Sequence, residues 1–168
     1  MKYGTLYSYW SHEWVCDYPA VAKKVRAAGC DILEVGAPHI AAMTDAQLAE
    51  LKAAAEDNGL ILTTNIGPSK DQDLASPDPA IRKNGLDFLT GVLRAMDKIG
   101  SKSLVGAMYS FWPCDFKYTD KEAAWDTSIA EMKKLAAVAE DLGIDLCQEV
   151  LNRFETYIMT NAAEGVEY

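Results

Sequence analysis

The sequence has no run of 18 apolar residues, which excludes a helix that spans a bilayer. Its opening residues, Met1 to Trp10, lack the apolar core and small-residue cleavage site of a secretory signal, so the expected address is cytoplasmic. Histidine is scarce, with only His12 and His39. The four cysteines, Cys16, Cys30, Cys114 and Cys147, lie 14, 84 and 33 positions apart and form no CxxC pair. A Cys and His zinc site therefore lacks its ligands, and reduced packing thiols are expected. Basic residues are outnumbered, 16 Lys and Arg against 25 Asp and Glu, for a net charge of −9. Nucleic acid needs clustered cations, and anionic lipid heads are repelled by such a surface, so neither is an expected partner. No phosphate-cradling glycine loop and no GxSxG elbow occurs. Neutral small molecules remain the compatible ligand class.

What is present is ordinary globular material: 168 residues, 49% hydrophobic and 24% charged, about one domain's worth without an internal boundary. Short apolar runs alternate regularly with helical patterns. Strands are predicted over Tyr3–Ser8, Asp31–Gly36, Leu60–Ile66, Ser103–Met108 and Ile144–Val150. Between them, helices are predicted over Asp17–Gly29, from the Thr44 cap with its Gln47 capping-box partner to Asn58-Gly59, from Ser76-Pro77-Asp78-Pro79 to Gly100, and from Asp120 to Leu142. Pro68–Ser76 reads as a polar loop and Tyr109–Phe116 as an aromatic one, and Asn161–Tyr168 begins a further helix.

Five strands alternating with four complete helices imply right-handed βαβ units and a parallel sheet. A doubly wound open sheet and a (β/α)₈ TIM barrel both suit that pattern. A dinucleotide-binding sheet would usually carry a glycine-rich turn after its first strand. This chain has Ser8-Tyr-Trp-Ser-His-Glu-Trp14 there, and bulky aromatics after strands one and four suit the rim of a barrel. The barrel is favoured, as the N-terminal part of a single barrel domain over residues 1–168, because a whole one takes roughly 250 residues. A self-sufficient five-stranded open sheet is the alternative.

Parallel α/β proteins place chemistry beyond the carboxyl ends of their strands. Glu149 is the sharpest candidate, since it lies in the apolar run Ile144–Leu151, where an unpaired carboxylate is costly to bury. It either pairs with Arg153 or a backbone donor, or serves as a metal ligand or acid/base carboxylate. Hard oxygen ligands suit Mn²⁺ or Mg²⁺, and one His in the shell extends that to Co²⁺. Trp14 and Trp112 either stack on a sugar face or fill the barrel mouth. Glu34 is a candidate in-barrel carboxylate, while His12 and His39 read as surface or hydrogen-bonded residues.

Several segments resemble the ketose 3-epimerases, the D-psicose (D-allulose) and D-tagatose 3-epimerases. They are Ser8-Tyr9-Trp10 with His12-Glu13-Trp14, Ile66-Gly67-Pro68-Ser69, Gly106 to Pro113, and above all Cys147-Gln148-Glu149-Val150-Leu151-Asn152-Arg153-Phe154-Glu155. The resemblance implies a (β/α)₈ barrel with one Mn²⁺ or Co²⁺ held by two Glu, one Asp and one His. Glu149 matches the first ligand and one of two carboxylates that exchange the C3 proton; the other three ligands have no counterpart here. Glu155 matches a substrate-hydroxyl contact, Trp14 and Trp112 the aromatic walls, and Gly67 and Ala107 small residues that leave space for the ketose. Leu6 stands where relatives often carry an aromatic, and Asn65 where a small residue is common, so substrate preference is expected to turn on these two positions.

The function implied is metal-dependent epimerisation of a free ketohexose at C3, through an enediolate, with paired glutamates as acid and base. The full-length parent is expected to be a homo-oligomer, dimer or tetramer, and the chain by itself inactive. The alternatives are a related isomerase, xylose-isomerase-like or acting on hydroxypyruvate, and a non-catalytic fragment that persists only as an oligomer.

Overall fold

The computed structural model describes residues 1–114, 116 and 120–168. Asp115, Lys117, Tyr118 and Thr119 lie outside the described residues, so the predicted aromatic loop is described except at Asp115.

Five strands form one parallel sheet: β1 (Gly4–Leu6), β2 (Ile32–Gly36), β3 (Ile61–Ile66), β4 (Ser103–Gly106) and β5 (Asp145–Gln148). They lie in the order β1-β2-β3-β4-β5, without reversal. The long helices are α1 (Tyr18–Ala27), α3 (Asp45–Asp57), α4 (Pro79–Ile99) and α5 (Lys121–Leu142), and each packs on the next in that sequence. A doubly wound sheet reverses its strand order and covers both faces with helices. Here one face is covered and the order never turns back, which is the arrangement of a barrel wall.

The alternation along each strand shows which face is which. Leu33, Val35, Leu62, Thr64, Ile66 and Leu104 point at the helices and are buried. Their neighbours Ile32, Glu34, Thr63, Asn65 and Val105 point the other way and are half-buried, while Ile61, Asp145 and Cys147 are exposed. The main core therefore lies between the sheet and the helices, with Val25, Leu51, Leu93, Met96 and Leu135 fully buried from the helical side. Each such aliphatic side chain contributes about 1.5–3 kcal/mol on burial.

Local signals account for the helix ends. Asp17 caps α1, Thr44 and Gln47 form the expected capping box on α3, and Asp78 and Asp120 cap α4 and α5. The fourth helix starts at Pro79 rather than Ser76, because Pro77 and Ser76 lead into the Asp78 cap. Besides the 3-10 turn at Tyr7–Trp10, two further elements were not expected. Ala37–Ala41 forms a single short helix, α2, directly on the end of β2, and Lys70–Gln72 makes one 3-10 turn inside the polar loop. Asn161 caps α6 (Ala162–Glu167).

Three strands are shorter than their apolar runs. Tyr7 and Ser8 leave β1 for a 3-10 turn through Trp10, β4 stops at Gly106, and β5 stops at Gln148. Gly106 explains the second of these. Its φ is +140°, and a Cβ there would sit 2.0 Å from the Ile66 carbonyl oxygen, so only glycine lets the backbone turn so close to β3. Among the described residues no helix is long and apolar enough to cross a membrane.

Candidate functional site

The C-terminal ends of the strands open into a cleft of about 450 Å³. Leu6 ends β1, Asn65 lies at the end of β3, and Gly67 follows it. Ala107 follows β4 and Glu149 follows β5, while Trp14 comes from the β1 loop, Trp112 from the β4 loop and Glu155 from the segment after β5. All eight predicted site residues line this one cleft. It continues into a neighbouring hollow of about 410 Å³ that shares Trp14, Asn65, Gly67 and Trp112 and reaches Pro38 and His39.

Backbone hydrogen bonds lace the loops around the cleft. The Trp112 amide donates to the Pro68 carbonyl at 2.8 Å, joining the β4 loop to the β3 loop. The Cys114 amide donates to the Glu155 carbonyl at 3.2 Å, joining it to the segment after β5. The Trp112 indole Nε1–H donates to Glu155 Oε1 at 3.2 Å, and Asn152 donates to the other carboxylate oxygen. Gly67 brings the backbone against the Trp112 ring: a Cβ there would be 3.1 Å from Cε3. The wall that holds Trp112 is thus fixed from three directions.

Glu149 differs from its expected setting. β5 ends one residue before it, and its side chain is exposed on the open side of the cleft rather than buried in an apolar run. Arg153 does not serve as its partner; that guanidinium lies over the Phe154 ring, 4.9 Å from its centroid. What is fixed is the Glu149 backbone, whose amide donates to the Gly106 carbonyl at 3.0 Å and whose carbonyl accepts from the Tyr109 hydroxyl at 3.0 Å. The run Ile144–Leu151 looked buried throughout because its apolar residues carry the hydropathy, while the inward face of the sheet is open here.

The two tryptophans flank the mouth. Trp14 is 75% exposed and Trp112 37% exposed, so neither serves as core packing. His39 lies beside Tyr18 with ring centroids 4.8 Å apart, and burial pushes its imidazole below the usual range. His12 is exposed. Cys16 and Cys30 pack against the core as free thiols, whereas Cys147 is exposed on the inward face.

Two residues matter to the site without standing among the eight. Glu34 lines the cleft floor and accepts from Asn65 and Thr63. Asp73, buried in the loop after β3, accepts from the backbone amides of Ala75 (2.9 Å) and Phe111 (3.3 Å) and so holds the segment next to Trp112. No spacing in the sequence marks Asp73, because its partner lies 38 residues away.

Among the described residues no three His, Cys, Asp or Glu side chains come together to hold an ion. Glu149 offers hard carboxylate oxygens of the kind Mn²⁺ takes, as one ligand of a shell.

The family model of the xylose isomerase-like TIM barrel matches residues 22–168. The chain belongs to that family. Among curated relatives it is 46% identical to the D-psicose 3-epimerase of Ruminiclostridium cellulolyticum and 43% identical to that of Agrobacterium fabrum, in each case over 100% of this chain and 58% of the relative. The crystal structure of the D-psicose 3-epimerase of Clostridium cellulolyticum H10 with D-tagatose superposes with a TM-score of 0.97, at 46% identity, over 99% of this chain and 58% of that one. The chain thus spans a little over half the length of the relatives it matches, and its five parallel strands are part of a family barrel.

Proposed function

We infer that this chain carries the N-terminal share of a ketose 3-epimerase, an isomerase that inverts C3 of a free ketohexose, converting D-fructose and D-psicose or D-tagatose and D-sorbose. The observation that supports the reading most is the convergence of Glu149, Glu155, Trp14, Trp112, Gly67 and Ala107 on one cleft at the strand ends, in a chain 46% identical to a D-psicose 3-epimerase.

Each residue has a role that its chemistry allows. Trp14 and Trp112 present apolar ring faces to the C–H side of the sugar and exclude water. Gly67 and Ala107 leave the cleft floor open. Glu155, held by Trp112 and Asn152, accepts a sugar hydroxyl. Glu149 takes or returns the C3 proton on one face of the sugar as general base or acid, and a second carboxylate from outside this chain does so on the other. Removing a proton alpha to the ketone leaves an enediolate whose charge needs stabilisation.

The proposal for the whole protein includes a Mn²⁺ ion (or Co²⁺, Mg²⁺), with Glu149 as one oxygen ligand. When bound, such a cation stabilises negative charge on the sugar oxygens. The roles given to Trp14, Trp112, Glu155, Gly67 and Ala107 do not run through it. A homo-oligomeric full-length protein belongs to the same proposal.

The full-length protein, incubated with D-fructose and Mn²⁺, is expected to form D-psicose, resolved by liquid chromatography. An aldose product would favour a related sugar isomerase instead, and no product would sink the reading. The 168-residue chain alone is expected to show no micromolar Mn²⁺ binding by calorimetry and negligible turnover, since one carboxylate does not make a metal shell.

A further inference from the structure

Glu34 and Asn65 project from neighbouring strands on the same inward face of the sheet. Glu34 pairs with Thr63 in the strand register, so Asn65 stands one inward position further toward the C-terminal ends. The Asn65 amide Nδ2 donates to Glu34 Oε1 at 3.2 Å, and the Thr63 hydroxyl reaches Oε2 at 3.4 Å. A carboxylate accepts and does not donate, so the Asn65 amide has one orientation: nitrogen toward Glu34, oxygen turned away. Both side chains are half-buried and line the cleft.

The immediate surroundings sharpen the point. The side chains of Leu6 and Val105, which line the same cleft, carry no polar group. The other carboxylates of the lining, Glu149 and Glu155, are acceptors. Among the described lining residues Asn65 is the one side-chain amide, with its oxygen and its second N–H uncommitted. A sugar hydroxyl both donates and accepts, and an amide of fixed orientation answers both at one point.

We propose that Glu34 is a positioning residue of the ketose site: it fixes the amide of Asn65, where substrate preference is expected to turn, so that the pair reads the configuration of a hydroxyl-bearing carbon other than C3. This rests on the ketose 3-epimerase reading. Glu34 acts through Asn65: without its carboxylate the amide is free to rotate, and the distinction between donor and acceptor is lost. D-fructose and D-tagatose, which differ at C4, make the test pair, because a hydrogen bond does not survive displacement of its partner to the other side of the carbon chain.

The experiment measures kcat/KM for the two sugars in the full-length protein and four variants: Asn65→Ala, Glu34→Ala, Glu34→Gln and the double alanine. If the wild type turns over neither sugar, the ratio of calorimetric Kd values replaces it. Asn65→Ala is expected to change the fructose-to-tagatose ratio by about fivefold or more, the size of one net hydrogen bond. Glu34→Ala is expected to move the ratio in the same direction, and the double variant no further than Asn65→Ala alone. Glu34→Gln can donate as well as accept, so it no longer fixes the amide's orientation and is expected to shift the ratio in the direction of Glu34→Ala, whereas a Glu34 that only fills space would leave the ratio of this isosteric variant unmoved. An unchanged ratio in Asn65→Ala overturns the proposal, and a Glu34→Gln protein that keeps the wild-type ratio overturns the part given to Glu34. Should Glu34→Ala fail to fold, Asn65→Ala and Glu34→Gln decide the matter. A wild-type protein that binds neither ketose sinks the ketose reading itself, whereas binding with an unmoved ratio sinks this inference only.

Discussion

The Tyr109 hydroxyl donates to the carbonyl of Glu149 at 3.0 Å, across 40 residues of sequence. Tyr109 is fully buried, and burial pushes its phenol up to about 12, so the proton that makes this bond stays in place through the neutral range. An exposed carboxylate thus stands on a backbone held from the core. Tyr109→Phe keeps the ring and removes the bond. It is expected to lower kcat of the full-length protein by about tenfold, the scale of one lost hydrogen bond and a small displacement of the reacting group. Steady-state kinetics check this, and an unchanged kcat would show that Glu149 needs no such anchor.

Glu149→Gln removes a proton carrier while keeping shape. Because the side chain is exposed, the fold is expected to survive, with an unchanged circular dichroism spectrum. Turnover is expected to fall by at least about a thousandfold, within the range for a lost general acid or base. A variant that retains most of its activity refutes the role given to Glu149.

Gly67→Ala tests the contact between the cleft floor and its aromatic wall. The added Cβ would lie 3.1 Å from the Trp112 ring, so the ring must yield by a few tenths of an ångström. Being partly exposed, Trp112 has room to do so. The expected result is near-wild-type stability with KM raised about threefold or more, since small misplacements at a site are felt in its kinetics. Gly106→Ala is the contrast: a Cβ 2.0 Å from a backbone oxygen leaves no such escape, and that variant is expected not to fold. A well-folded Gly106→Ala protein, or an unchanged KM in Gly67→Ala, would contradict the packing described.

Burial pushes the Asp73 carboxyl above its ordinary value of 3.8, opposed by the amides of Ala75 and Phe111. The folded chain therefore holds this proton more tightly than the unfolded chain does. Its contribution is full below pH 3.8 and is lost as pH rises through the folded-state value. Asp73→Asn keeps an acceptor oxygen for both amides and does not titrate. The stability of the Asn variant relative to wild type is expected to rise with pH from the acid side and then level off, with a slope of at most about 1.4 kcal/mol per pH unit. Urea denaturation across that window measures it, and a flat or falling difference would mean that burial does not dominate.

Strand and helix positions were legible because each rests on local chemistry. The capping box of Thr44 and Gln47, the Asp78 and Asp120 caps and the alternation through β3 are written in neighbouring residues. The resemblance carried by the segments around Trp14, Gly67, Trp112 and Glu149 named the eight residues that line the cleft. The strand ends were less legible. Apolar runs continue past the last paired residue of β4 and β5, since hydropathy does not record where a neighbouring backbone carbonyl blocks further pairing.

The amino-acid order alone settled the alternation of strands and helices, the net charge of −9 and the residue types that stand beyond the strand ends. Only the tertiary structure decided that the sheet keeps its helices on one face, that Glu149 is exposed with its backbone held by Tyr109, and that Glu34 and Asn65 meet on the cleft floor. The reason is distance along the chain. Periodicity and capping act within a few residues, whereas these contacts join positions 31 to 40 residues apart, and nothing local encodes which partners folding brings together.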